Sequence, residues 1–257
     1  MAKRYSNLRV FGGISGGTIA VTNEFMLPAY DGSANQVMQT DGAGNVSWVT
    51  GSGGGNAVVT SGTNTTDTVR INLSNVASGN CSTVSGGFGN TASCNSATVG
   101  GGCANTACGT WSTIGGGTTN IACNYAFVGG GSGNTASSVY STIGGGFCNI
   151  TGGGGATIGG GGTNIATGPE STIAGGRSNT ASGIWATIGG GFSNTASTTF
   201  STVGGGYGNT VGDASTIGGG YINIASGNYS TIGGGSSNSA SNTFSTVGGG
   251  FTNTASG

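Results

Sequence analysis

The chain has 257 residues, a net charge of −1, no histidine and only 4% charged side chains. It contains 61 glycines and two prolines. Glycine does not fall at every third position, which excludes collagen, and so few cations exclude a surface that neutralises several phosphates of a nucleic acid.

Residues 1–35 are irregular in pattern and form the first expected region, an N-terminal attachment segment. They hold three of the five basic residues, Lys3, Arg4 and Arg9, and an apolar run at Phe25-Met26-Leu27 ended by Pro28. This end reads as a solubilising segment or as a docking arm for a partner. No apolar run follows Lys3-Arg4, so no secretory signal peptide is expected. No window reaches the roughly 18 apolar residues of a membrane span, so no membrane insertion is expected.

Residues 36–79 form the second region, a β-hairpin and linker. Gln36–Thr40 and Asn45–Thr50 flank Asp41-Gly42-Ala43-Gly44, and two β-type runs around such a loop predict a hairpin. Gly51–Gly55 reads as a joint. Two short β-like runs follow, Ala57–Val59 and Thr68–Ile71.

Residues 80–257 carry a repeat. An Ile or Val recurs at twelve positions from Val84 to Val247, in steps of 15 with two of 14. A fixed period of this length predicts a solenoid with one coil per repeat. We number each coil from this residue as position 0. Positions +2 and +3 are Gly in all twelve copies and +6 is Asn in all twelve. Two copies show the pattern: Ile114 with Gly116, Gly117 and Asn120, and Ile143 with Gly145, Gly146 and Asn149. These eight residues are the expected turn and core. Position +1 is Gly in ten copies, with Ser85 and Ala174 in the others, so its φ is expected to be ordinary. Sites that admit only Gly need φ > 0 or leave no room for a Cβ, which centres the turn on +2 and +3. In both short repeats the residue is lost after +8, where a second, looser turn is expected. The predicted fold is therefore all-β, a parallel β-solenoid (β-roll) of about twelve 15-residue coils with two short strands each.

Strand side chains alternate. Ser or Ala at −2 and Ile or Val at 0 are predicted to face inward, with Asn at +6 and Ala at +8. Thr at −1 and the mixed Thr, Ile and Ser column at +7 are predicted to face outward. Aromatic residues gather at −3 (Trp111, Tyr140, Trp185, Phe200, Tyr229, Phe244) and at +4 (Phe88, Phe147, Phe192, Tyr207, Phe251), both beside turns. An interior this thin buries little apolar area for each backbone it orders. Side-by-side association, most simply a homotrimer, is expected to bury the outward columns. The +7 residues Ile121, Ile150, Ile165 and Ile224 are the expected contact.

No catalytic, cofactor-binding or metal site is expected. The carboxylates are scattered, and the Gly triplets lack the helix and lysine of a phosphate-binding loop. The six cysteines follow no metal-ligand spacing. Cys108 and Cys123 share position +9 one coil apart, about 4.8 Å in register, which leaves two readings: a bridge, or small-residue replacements for Ser. Trp111, Trp185 and Tyr140 are the candidate contacts for a glycan. An ice-binding surface needs a Thr-x-Thr array, and here +1 is Gly.

Tyr140-Ser141-Thr142-Ile143-Gly144-Gly145-Gly146, leading into Asn149, resembles the head repeats of trimeric autotransporter adhesins. That resemblance implies a left-handed β-roll in a homotrimer. Similar repeats occur in tail-fibre-like proteins of phages and large viruses. Leu27–Gly32, Asn35–Gly42 and Asn45–Trp48 are similar to a module that precedes fibre shafts in phage structural proteins. The adhesins carry a secretion signal and a C-terminal membrane anchor, and neither pattern is read here. The expectation is therefore a virion fibre or spike that contributes to host attachment, held to a particle or baseplate protein through its N-terminus. Its partners would be its own copies and a host surface glycan. The alternative is a trimeric adhesin or extracellular fibre of a bacterial surface.

Overall fold

The structure is a computed structural model that describes residues 74–256 and, before them, the strands at 20–21, 25–26, 36–40, 46–50 and 69–70. The chain divides into two units, Met1–Ala57 and Val58–Gly257. In the first, Gln36–Thr40 pairs antiparallel with Val46–Thr50, with Gln36 opposite Thr50, which is the predicted hairpin. Within the stretch read as irregular, Ala20–Val21 pairs antiparallel with Phe25–Met26. The β-like run at 57–59 lies outside the described residues.

The second unit is a parallel β-solenoid, and no helix occurs among the described residues. Two 13-stranded parallel sheets run its length. One is built from the −1 and 0 positions, as where Thr142–Ile143 pairs with Thr157–Ile158. The other is built from +7 and +8, as where Ile150–Thr151 pairs with Ile165–Ala166. A third column of single-residue bridges joins the +4 positions from Phe88 to Phe251, so each coil makes three contacts with the next rather than the two expected. The ladder also extends one coil upstream of the first full repeat. Val69–Arg70 pairs with Thr83–Val84 and Val76–Ala77 with Thr91–Ala92. The short coils keep register in both sheets, so the missing residue is absorbed in the loose turn, as predicted.

Burial follows the alternation. Ile or Val at 0, Ala at +8 and Asn at +6 are buried almost throughout, with Ser or Ala at −2 beside them. The outward columns at −1 and +7 are half-buried or exposed.

Strands of two residues need tight corners, and left-handed backbone makes them. Position +5 has positive φ in every full coil, whether Gly133, Thr163 or Ile222, and so does −3, where Trp111, Tyr140, Glu170 and Phe200 stand. Such a φ in a bulky or β-branched residue is uncommon and costs about 1–3 kcal/mol unless the surroundings fix it. Here hydrogen bonds fix it. Strand N–H groups donate to the following coil, as Thr157 N–H does to the Ser171 carbonyl at 2.8 Å. The left-handed residues reverse this: Trp185 N–H donates to Pro169 at 3.0 Å and Thr163 N–H to Phe147 at 2.8 Å, both in the preceding coil.

The glycine turn corrects one expectation. Position +3 does need Gly: Gly117 and Gly146 have φ of 89° and 96°, and a Cβ on either would sit 2.1 Å from the next coil's glycine carbonyl. Most of the +2 glycines have no such reason. A Cβ on Gly116 would meet nothing within 4 Å, and one on Gly145 only the Gly130 carbonyl at 4.0 Å. Nine of the twelve +2 glycines also lie outside the left-handed range of φ. Position +1 has ordinary φ, as Ser85 and Ala174 implied.

Thr151 replaces the usual Ala at +8, and its buried hydroxyl has no hydrogen-bond partner. Val211 fills the same position in another coil and is buried. Thr151→Val should therefore fit without strain and remove an unpaired hydroxyl, stabilising the coil by about 1 kcal/mol. Urea unfolding should show a raised midpoint, with slower amide exchange at Ile150 and Ile165.

Candidate functional site

Each predicted site residue falls into one of three columns. Ile114 and Ile143 are fully buried in the core. Asn120 and Asn149 belong to a buried asparagine ladder that runs from Asn75 upward. Asn149 Nδ2 donates to the Gly145 carbonyl of its own coil at 3.0 Å, to the Gly161 carbonyl of the next at 3.0 Å and to Asn134 Oδ1 of the preceding one at 3.1 Å. Its Oδ1 accepts the Asn164 backbone N–H at 3.0 Å and Asn164 Nδ2 at 3.1 Å. Two amide hydrogens thus serve three acceptors, so one is shared. The glycine carbonyls need a donor and the backbone N–H an acceptor, which fixes the orientation of the amide. Gly116, Gly117, Gly145 and Gly146 form the corner above this ladder.

The candidate glycan contacts lie on the outside, at the −3 corner. Trp111 is 61% exposed, Tyr140 66% and Trp185 48%. They do not form one site, because Trp111 and Trp185 are separated by five coils, about 24 Å along the axis. The structure instead groups them with their column neighbours. Tyr140 packs on Tyr125 with ring centroids 5.2 Å apart, tilted by 39°. Trp185 stacks on Phe200 at 4.9 Å and 12°, and its Nε1–H donates to Glu170 Oε2 of the preceding coil at 2.8 Å. Tyr229 stacks on Phe244 at 5.2 Å. The +4 corner carries a second stack, Phe192, Tyr207 and Tyr221, with centroids 5.4 and 5.0 Å apart.

Tyr125 and Tyr221 are ladder members that the sequence reading omitted. Tyr125 lies in one short coil and Tyr221 in the coil that follows the other. Counting back from Val128 and forward from Ile217 places them at −3 and +4, so the signal was available. Stacking along the axis has a chemical consequence. A ring within a stack has its faces covered by its neighbours and offers only an edge; a ring at the end of a stack keeps one face open.

Cys108 and Cys123 lie side by side with their Sγ atoms 3.5 Å apart, both as free thiols. Burial, followed by the bond to Cys123 and its charge, pushes the Cys108 thiol above its ordinary range. Among the described residues, no three His, Cys, Asp or Glu side chains gather as a metal site, and no helix is long and apolar enough to cross a membrane. No protein-family model matches the chain, and no curated protein matches its sequence.

Two outcomes are expected. Asn149→Asp keeps an acceptor, removes both donors and buries a carboxyl, so it should destabilise by about 3 kcal/mol or more at neutral pH. Burial favours the neutral acid and raises its folded-state pKa above the unfolded value, so the loss should shrink as pH falls from neutral towards about 4 and level off below that; chemical unfolding at pH 7 and near pH 4 tests this. Cys108 should be alkylated by iodoacetamide more slowly than an ordinary thiol near pH 8.5, because a raised pKa leaves less thiolate. Peptide mapping across a pH series should place its half-point above the ordinary thiol range.

Proposed function

We propose that this chain is the shaft of a fibre or spike of a virus or phage, acting by structure and adhesion rather than by catalysis. The observation that carries this reading is the uninterrupted ladder. From Val69 to Ala255 every coil pairs with the next, which makes a continuous stack of about 58 Å. Beyond Ile71 only Glu170, Arg177 and Asp213 carry charge. A neutral rod with exposed rings along its corners suits a structure that projects from a particle and touches a surface at its side. The same rings support a second reading, a trimeric adhesin or extracellular fibre of a bacterial surface.

Homotrimeric assembly belongs to this proposal, and the +2 glycines support it. In nine of the twelve copies neither φ nor any contact closer than 3.8 Å within the chain requires glycine, yet no copy admits even Ala. Close approach of another backbone is a reason for Gly that lies outside the chain. In this reading a partner chain packs over the +2 corner. The exposed +7 isoleucines Ile121, Ile150 and Ile224, with half-buried Ile165, supply further apolar contact.

Light scattering should give three times the 24.3 kDa chain mass; one chain mass would refute the trimer. Gly145→Ala should leave the far-ultraviolet circular dichroism unchanged but weaken the assembly, whereas Gly146→Ala should damage the coil itself. Deleting residues 1–35 should leave the assembly intact but abolish incorporation into particles. Normal copy number of the truncated chain on purified particles would show that this end is not the anchor.

A further inference from the structure

The −3 column has a gap one residue wide at Ala214. On one side stands Phe200, 58% exposed, with one face covered by Trp185. On the other stands Tyr229, 55% exposed, with one face covered by Phe244. Each ring therefore turns its second face towards the coil of Ala214, which carries only a methyl group. The backbone does not step out of line there. Ala214 keeps the left-handed φ of its column, its N–H donates to the Thr199 carbonyl at 2.9 Å, and Tyr229 N–H donates to the Asp213 carbonyl at 3.0 Å. Its coil is one of the two short ones, but shortening does not require the loss of the ring. The other short corner keeps Tyr125, packed on Tyr140.

We propose that this gap is a binding slot for one pyranose ring of a glycan, sandwiched between Phe200 and Tyr229. Two coil steps separate the flanking rings by about 9.6 Å. A ring centred between them lies about 4.8 Å from each, close to the 4.9 and 5.2 Å at which this column stacks its own members. A flat arene fills such a step only by stacking offset, as the column's own members do at interplanar angles of 12° and 14°. A puckered saturated ring, thickened by its axial hydrogens, fills the space. Because both faces meet an aromatic ring, both must present C–H groups. That selects a sugar whose substituents are all equatorial, the β-glucopyranosyl type, and disfavours one with an axial hydroxyl. Asp213, half-buried and adjacent to Ala214, supplies a carboxylate at the same corner to accept hydroxyl hydrogens. The +4 column is interrupted in the same way by Ser236, between Tyr221 and Phe251. There Phe251 has no stacked neighbour, and no charged residue stands beside the gap.

The slot rests on the fibre reading only for its biological use, since the test is made on the purified full chain without particles. Titration with methyl β-D-glucopyranoside and methyl β-D-galactopyranoside can be followed by Trp185 fluorescence and calorimetry. The glucoside is expected to bind at least tenfold more tightly than the galactoside, which carries an axial hydroxyl. Ala214→Phe completes the ladder with a residue that the column accepts at Phe200 and Phe244. It should weaken glucoside binding at least tenfold while leaving the circular dichroism and thermal midpoint no lower. Asp213→Asn should weaken binding several-fold. Failure of the wild-type chain to bind the glucoside, equal binding of both sugars, or unchanged affinity in Ala214→Phe would each overturn the proposal. None of these results bears on whether the chain is found on particles.

Discussion

The asparagine at +6 is the element on which the rest of the coil depends. Its amide reaches three coils at once, and it is buried in every coil but the last, so a broken contact would leave polar groups without water. The turn glycines are consequences of it. The carbonyl of +3 must point at the amide of the preceding coil, which requires a φ near 90° and a backbone too close for a Cβ. The two sheets flank this column and inherit its spacing. A stack of thirteen identical amides also enforces register, because a slip by one residue would set a Thr, Ile or Ser side chain against the glycine carbonyls.

Most of the interior was legible from alternation alone. Ile143, Ala166 and Ser141 fall where a period of two places them, and the loose turn was located by the short repeats. The left-handed corners were not legible, because Trp111, Tyr140 and Phe200 are residues that ordinarily avoid positive φ. What holds them is the bond to the preceding coil, a tertiary effect invisible in local propensity. The third ladder at +4 was hidden for a related reason: its members range from Phe88 to Gly162 and Arg177 and share no chemistry, only a backbone bridge. The upstream coil was missed because Arg70 occupies the place of Ile or Val and no glycine triplet follows it.

The candidate site was legible as a composition but not as a geometry. Trp111, Tyr140 and Trp185 were picked out as exposed rings, and exposed they are. Their arrangement depends on what stands one coil above and below, and a list of aromatic positions does not convey that covered faces are unavailable. The chemistry of the corner is set as much by where a ring is missing as by where one is present. The same holds at +2, where a column of glycines matters for what it leaves open.

Register passed from coil to coil has a genetic counterpart. Each coil touches only its two neighbours, so stability is close to a sum over coils and their interfaces. A duplication of one repeat unit in the coding sequence would add one complete rung without disturbing the others, and a deletion would remove one. Reach would then change in increments of about 4.8 Å. Length in this protein is a quantised and readily heritable variable, open to selection without any change to the core.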